Sequence, residues 1–157
     1  MNEIIFNSAK DVAVKVKKLA DDAQMPTRGS AAAAGWDLYA HIPSGFVWIK
    51  PGETVLIDTG LSMAINDGWF GGIYARSGLA VKKGLVPINE PGVIDADYRG
   101  PVKVALYNHS DMTQRVDTGD RIAQMIFHKV PTVYWSEVDE LDDTVRANGG
   151  FGSTGEK

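Results

Sequence analysis

The sequence contains no cysteine, which excludes disulfides, thiol nucleophiles and cysteine-based zinc sites. Histidine is scarce as well: His41, His109 and His128 are scattered, without the spacing of a metal-ligand set. No apolar run approaches the roughly 20 residues that cross a bilayer. The opening Met1-Asn2-Glu3-Ile4-Ile5-Phe6 lacks the basic region and long apolar stretch of a signal peptide. Positive charge is thin: the net charge is −4, the pI is near 5.3, and the longest basic run is Lys82-Lys83. Nucleic acid and membrane are therefore not expected as partners, and a soluble, intracellular, cytoplasmic protein is.

What is present suits one globular domain. At 157 residues and 44% hydrophobic content, the chain can bury about two-thirds of its unfolded surface. Val12, Val14 and Val16 alternate with other residues and predict a first strand. Further short strands are predicted over 36–40, 46–49, 54–57, 69–75, 85–88 and 132–135. Leu61, Met63 and Ile65 alternate in the same way, as do Val102, Val104 and Leu106. The apolar run 122–130 suits a strand buried on both faces. Pro43-Ser44-Gly45, Pro51-Gly52, Asn66-Asp67-Gly68 and Thr118-Gly119-Asp120 are turn signals, and 109–118 reads as a loop. Helical periodicity is nearly absent, with one short helix expected near 78–83. The fold class is all-β, a sandwich or barrel. Residues 1–11 read as a short N-terminal extension of a β domain over 1–143, with an acidic segment from Glu137 to Asp143. A flexible Gly-rich tail then occupies 144–157.

Chemistry-bearing residues gather in five short blocks. Gly92-Val93-Ile94-Asp95-Ala96-Asp97-Tyr98-Arg99-Gly100 packs two carboxylates, a phenol and a guanidinium against the 102–106 strand, as on a hairpin. Alone, this is a solvated turn or a pair of metal-binding carboxylates. Gly35-Trp36-Asp37-Leu38-Tyr39-Ala40 sets one carboxylate on an apolar strand. Arg76-Ser77-Gly78-Leu79-Ala80 offers a bidentate donor beside a hydroxyl and a possible helix start, a combination suited to phosphate oxygens. Gly119-Asp120-Arg121-Ile122-Ala123-Gln124-Met125 joins a turn to a strand. Last, Arg146 precedes Gly149-Gly150-Phe151-Gly152-Ser153-Thr154-Gly155, which has the parts to wrap a phosphorylated ligand carrying a stackable ring.

In order and spacing these blocks resemble the five motifs of the trimeric dUTPase family, from about Val14 to Gly155. Trp36 stands where the family more often has tyrosine, and Ala147 where glycine usually follows the arginine. The resemblance implies a jelly-roll-like β-sandwich (the dUTPase β-clip) and a homotrimer with active sites at subunit interfaces. It also implies the hydrolysis of dUTP to dUMP and pyrophosphate, which limits uracil in DNA and supplies dUMP for dTMP synthesis. On that reading Asp95 is the general base for water attack at the α-phosphorus. The backbone of Gly92, Val93 and Ile94 reads uracil, Asn89 fixes the hairpin, and Tyr98 excludes a 2′-hydroxyl. Arg76, Ser77, Gly78 and Gln124 hold the phosphates. Arg146, Gly152, Ser153 and Thr154 close from the tail while Phe151 stacks on the base. Mg²⁺ is expected on the phosphates, with Asp37 at most an outer-shell partner.

Other residues are read as structural. Trp36, Trp48, Trp69 and Trp135 are expected as core or interface aromatics. Asp97 is expected to point away from Asp95 along an extended backbone, with Arg99 pairing to it or to a neighbouring subunit. Two rivals stand beside the hydrolase: a dCTP deaminase, which shares the fold, and a nucleotide-switched regulator that binds a protein partner.

Overall fold

The computed structural model describes residues 11–149. Ten strands and one helix follow in order: β1 Val14–Lys18, β2 Trp36–Tyr39, β3 Phe46–Ile49, β4 Thr54–Ile65, β5 Trp69–Tyr74, α1 Ser77–Lys83, β6 Leu85–Pro87, β7 Gly92–Ile94, β8 Pro101–Asn108, β9 Gln114–Asp117 and β10 Arg121–Lys129. They make one sheet in the order β1-β4-β8-β6, a second in the order β2-β10-β5-β7, and a two-stranded sheet β3-β9. Every pairing is antiparallel. The all-β expectation with one short helix holds.

The period-two pattern explains the packing. Along β8, Val102, Val104, Leu106 and Asn108 are buried while Lys103 between them is exposed. With Leu61 and Met63 from β4, Leu38 from β2, and Ile122, Ala123 and Met125 from β10, the three apolar residues Val102, Val104 and Leu106 form a continuous apolar core. Helix α1 stops at Gly84, whose left-handed φ of 64° returns its N–H to the Ala80 carbonyl.

Several expectations need correction. The 54–57 and 61–65 segments are one strand, β4, kinked at Gly60 (φ 68°), where the β4–β8 register shifts between Asp58 and Ser62. That shift brings the Thr59 and Ser62 hydroxyls to the carbonyls of Val102 and Arg99, each at 2.7 Å. The 92–106 stretch is not a hairpin. β7 pairs with β5 and β8 with β4, so residues 95–100 cross from one sheet to the other. Part of the 109–118 loop is β9, which pairs with β3. There Arg115 stacks over Phe46 at 4.2 Å and bonds Asp117 at 2.9 Å through Nε. β10 is central in its sheet yet only partly covered, with Arg121 and Lys129 exposed. Residues 132–135 form no strand, because no strand of the described chain lies beside them; Tyr134 and Trp135 are almost fully exposed. None of the four tryptophans is in the core of the single chain.

Candidate active site

Three of the five blocks converge on one cleft of about 220 Å³, lined by Gly35, Asp37, Arg76, Ser77, Gly78, Arg121 and Gln124. Neighbouring strands bring them together. Asp37 on β2 pairs in register with Gln124 on β10, which pairs with Tyr74 at the end of β5, and Arg76 follows directly. Asp37 is nearly buried, and both carboxylate oxygens accept from guanidiniums. Arg76 Nε donates to Oδ1 at 2.7 Å, and Arg121 Nη1 to Oδ2 at 3.1 Å. Arg76 Nη1 also donates to the Arg121 carbonyl at 3.1 Å. Two guanidiniums against one carboxylate leave the cleft wall net positive, which favours an anionic ligand.

Gln124 Nε2 donates to the Ala75 carbonyl at 2.8 Å, which ties β10 to the segment leading into Arg76. A Cβ on Gly35 would collide with the Gln124 side-chain oxygen, so any larger residue there would push Gln124 aside. Gly78 differs: a Cβ there would meet nothing within 4 Å, so no contact inside the chain demands glycine. Ser77 is exposed at the start of α1.

The third block lies elsewhere. β7, with Gly92, Val93 and Ile94, is the edge strand of the second sheet, three strands from β2, and its outer backbone groups are unpaired within the sheet. The Asn89 side chain lies against Gly92. Asp95 to Tyr98 form a turn closed by a Tyr98 N–H bond to the Asp95 carbonyl at 3.2 Å. Asp95, Asp97 and Arg99 are all exposed. Tyr98 folds back over Gly100 and donates its hydroxyl to the Pro101 carbonyl at 3.1 Å; a side chain at Gly100 would clash with the ring. The backbone turns here rather than extending. Arg99 binds the carbonyls of Ala96 and Tyr98, at 2.6 and 2.9 Å, and not Asp97. Given the register, Asp95 lies about 20 Å from Asp37, three strand spacings across and four residues along.

In the fifth block, Arg146 is exposed and donates from Nε to the Gly149 carbonyl at 2.8 Å. Ala147 adopts φ 42°, the left-handed region that glycine enters freely, at the position where glycine usually follows the arginine in the dUTPase motif. Phe151, Gly152, Ser153 and Thr154 lie outside the described residues.

A family profile described as dUTPase matches residues 21–155. The chain belongs to the dUTPase family. It is 49% identical to the deoxyuridine 5′-triphosphate nucleotidohydrolase of Arabidopsis thaliana over 154 residues, covering 98% of this chain and 90% of that one. Its fold matches a mutant dUTPase of Staphylococcus bacteriophage 80alpha with dUpNHpp. The TM-score is 0.82 at 27% identity, over 91% of this chain and 98% of that one. A mutant dUTPase from phage phi11 of S. aureus, in which a structural Mg(II) ion is coordinated, matches with a TM-score of 0.73 at 25% identity. That match covers 83% of this chain and 99% of the other.

Two residues at or beside the cleft escaped the sequence reading. Glu90 accepts the Ala75 N–H at 3.0 Å, bracing the entry to Arg76 from the segment that leads into β7. Arg121 belongs to the fourth block, but three positions from Gln124 puts it on the opposite face of a regular strand. A register shift between Arg121 and Ala123 restores it to the cleft face.

Proposed function

We propose that the chain hydrolyses dUTP to dUMP and pyrophosphate at sites shared between the subunits of a homotrimer. The convergence of Asp37, Arg76, Arg121 and Gln124 on one cationic cleft carries the reading. Arg76, Ser77, Gly78 and Gln124 hold the phosphates there; Gln124 keeps one N–H free, its other bonding Ala75. The exposed edge of β7 offers backbone N–H and C=O groups at Gly92, Val93 and Ile94 to the hydrogen-bonding edge of uracil, with Asn89 holding that edge in place. The Tyr98 ring, set by its bond to Pro101, lies where the deoxyribose passes and leaves no room for a 2′-hydroxyl.

Asp95 takes a proton from water as its oxygen attacks the α-phosphorus. The bond to the bridging oxygen breaks, and pyrophosphate leaves. An Asp95 about 20 Å from its own chain's cleft cannot serve that cleft, so it serves a neighbour's. Apolar surface left open by the single chain supports such an assembly. Tyr134, Trp135 and Leu141 are largely exposed, and a groove of about 320 Å³ lies between Val14, Val16, Trp36, Met125 and Phe127. The tail from residue 144 closes the site, with Arg146, Gly152, Ser153 and Thr154 on the phosphates and Phe151 over the base.

No group of three or more His, Cys, Asp or Glu side chains among the described residues makes a metal cage. The donor set fits a Mg²⁺ held by the substrate's phosphates and water, where it would neutralise charge. Asp37 is then at most an outer-shell partner, since both its oxygens already accept from guanidiniums. A cytoplasmic location belongs to the same reading; no helix among the described residues is long and apolar enough to cross a membrane.

The test is product analysis from dUTP, UTP, dCTP and dTTP with Mg²⁺, for wild type and Asp95→Asn. Expected are dUMP and pyrophosphate from dUTP alone, and a loss of about 10²–10⁴-fold in the variant. Ammonia from dCTP would transfer the chain to the deaminase reading, and full activity in Asp95→Asn would remove Asp95 as the base.

A further inference from the structure

The cleft contains a second guanidinium, that of Arg121, beside Arg76. We propose that Arg121 is a further substrate-binding residue, contacting the phosphate chain beside Arg76. The inference rests on the reading of this cleft as the triphosphate site.

Donor capacity distinguishes the two arginines. Arg76 commits Nε to Asp37 and Nη1 to the Arg121 carbonyl, so two of its five N–H donors are spent inside the protein. Arg121 makes one side-chain bond, from Nη1 to Asp37, and keeps Nε and Nη2 free. Its side chain is 50% exposed against 25% for Arg76, so it stands on the open side of the cleft. A partly exposed ion pair contributes little to stability, so neutralising Asp37 does not account for an arginine at this position; Arg76 already bonds that carboxylate at 2.7 Å. The register shift at Arg121 turns the side chain toward the cleft, and Asp37 screens the two guanidiniums from each other while fixing their spacing. Two anchored forks facing one opening suit a polyphosphate, which presents several anionic oxygens in a row.

Calorimetric titration with dUMP and with the slowly cleaved triphosphate analogue dUpNHpp separates the possibilities. Wild type, Arg121→Gln, Arg121→Lys and Arg76→Gln are compared, each first checked for its oligomeric mass. Arg121→Gln is expected to weaken dUpNHpp by about ten- to hundredfold, the range for one lost charge-assisted hydrogen bond, while dUMP changes less than about twofold. Arg121→Lys should recover part of the loss, since it keeps the charge without the fork. Wild-type dUpNHpp affinity in Arg121→Gln, alongside a weakened Arg76→Gln, would overturn the inference and leave the cleft reading in place. Equal losses for dUMP and dUpNHpp would assign Arg121 a structural role instead. Unchanged affinity in Arg76→Gln as well would overturn the cleft reading, and the inference with it.

Discussion

Replacing Asn108 by leucine isolates one polar residue in an apolar core. Asn108 is fully buried at the end of β8. Its Nδ2 donates to the carbonyls of Ile49 at 2.9 Å and Met112 at 2.7 Å. Its Oδ1 accepts the N–H of Ser110 at 2.9 Å and the hydroxyl of Ser110 at 2.7 Å. Every donor and acceptor of the amide is used, which is why a buried asparagine is tolerated here. Leucine has the same branched heavy-atom skeleton and is no smaller, so no cavity opens and the cost falls chiefly on the hydrogen bonds. Met112 is exposed, so water can replace its partner, and Ser110 is only partly covered. Ile49 is fully buried, and its carbonyl would lose the Asn108 donor. Loss of the donor to that buried carbonyl costs about 1–3 kcal/mol, and three further net bonds about 0.5–1.5 kcal/mol each, which sets an expected loss of about 2.5–7.5 kcal/mol. Urea denaturation at fixed protein concentration measures it, because an oligomer's midpoint moves with concentration. A loss under about 1 kcal/mol would refute the reasoning that these bonds, and not apolar burial alone, hold the turn that delivers β9 to β3.

Gly35→Ala should push Gln124 off the Ala75 carbonyl and lower kcat/KM for dUTP by about tenfold with the fold intact, as read by steady-state kinetics and circular dichroism. Ser62→Ala removes the hydroxyl that holds the Arg99 carbonyl; kcat should fall by up to about tenfold, since the anchor of the 95–100 crossover is loosened. Asp37→Asn takes the counter-charge from two adjacent guanidiniums. It should cost about 1–3 kcal/mol in urea denaturation, after a discount for the exposure of both arginines.

Much of this architecture is legible in the sequence where local pattern and tertiary role agree. Val102, Val104 and Leu106 announce a strand with one buried face, and that face is the core. Arg76-Ser77-Gly78 announces a turn into a short helix, and α1 begins at Ser77. What stayed hidden depends on distant partners. A strand, turn and strand over 92–106 look alike whether the two strands pair with each other or cross between sheets; only the pairing of β7 with β5 decides it. Gln114-Arg115-Val116-Asp117 is too polar to read as a strand until Arg115 is seen stacked on Phe46 across the small sheet. Conversely, 132–135 carries strand-forming side chains but has no partner strand in the described chain. Arg121 was masked by a register shift that no sequence period reveals.

The central claim, that each site joins one chain's phosphate cleft to another chain's Asp95, is tested most directly by complementation. Asp95→Asn keeps an intact cleft, and Arg76→Gln keeps an intact Asp95. The two variants, carrying different tags, are co-expressed in equal amounts and purified through both tags from a fraction whose mass is about three times the 17.0 kDa chain. Each parent alone is expected to be nearly inactive. In every trimer that carries both tags, one of the three sites pairs a sound cleft with a sound Asp95, so the doubly purified fraction should regain about a third of wild-type dUTP hydrolysis. Activity no higher than that of the parents would mean that cleft and base belong to the same chain, and the shared-site account would be wrong.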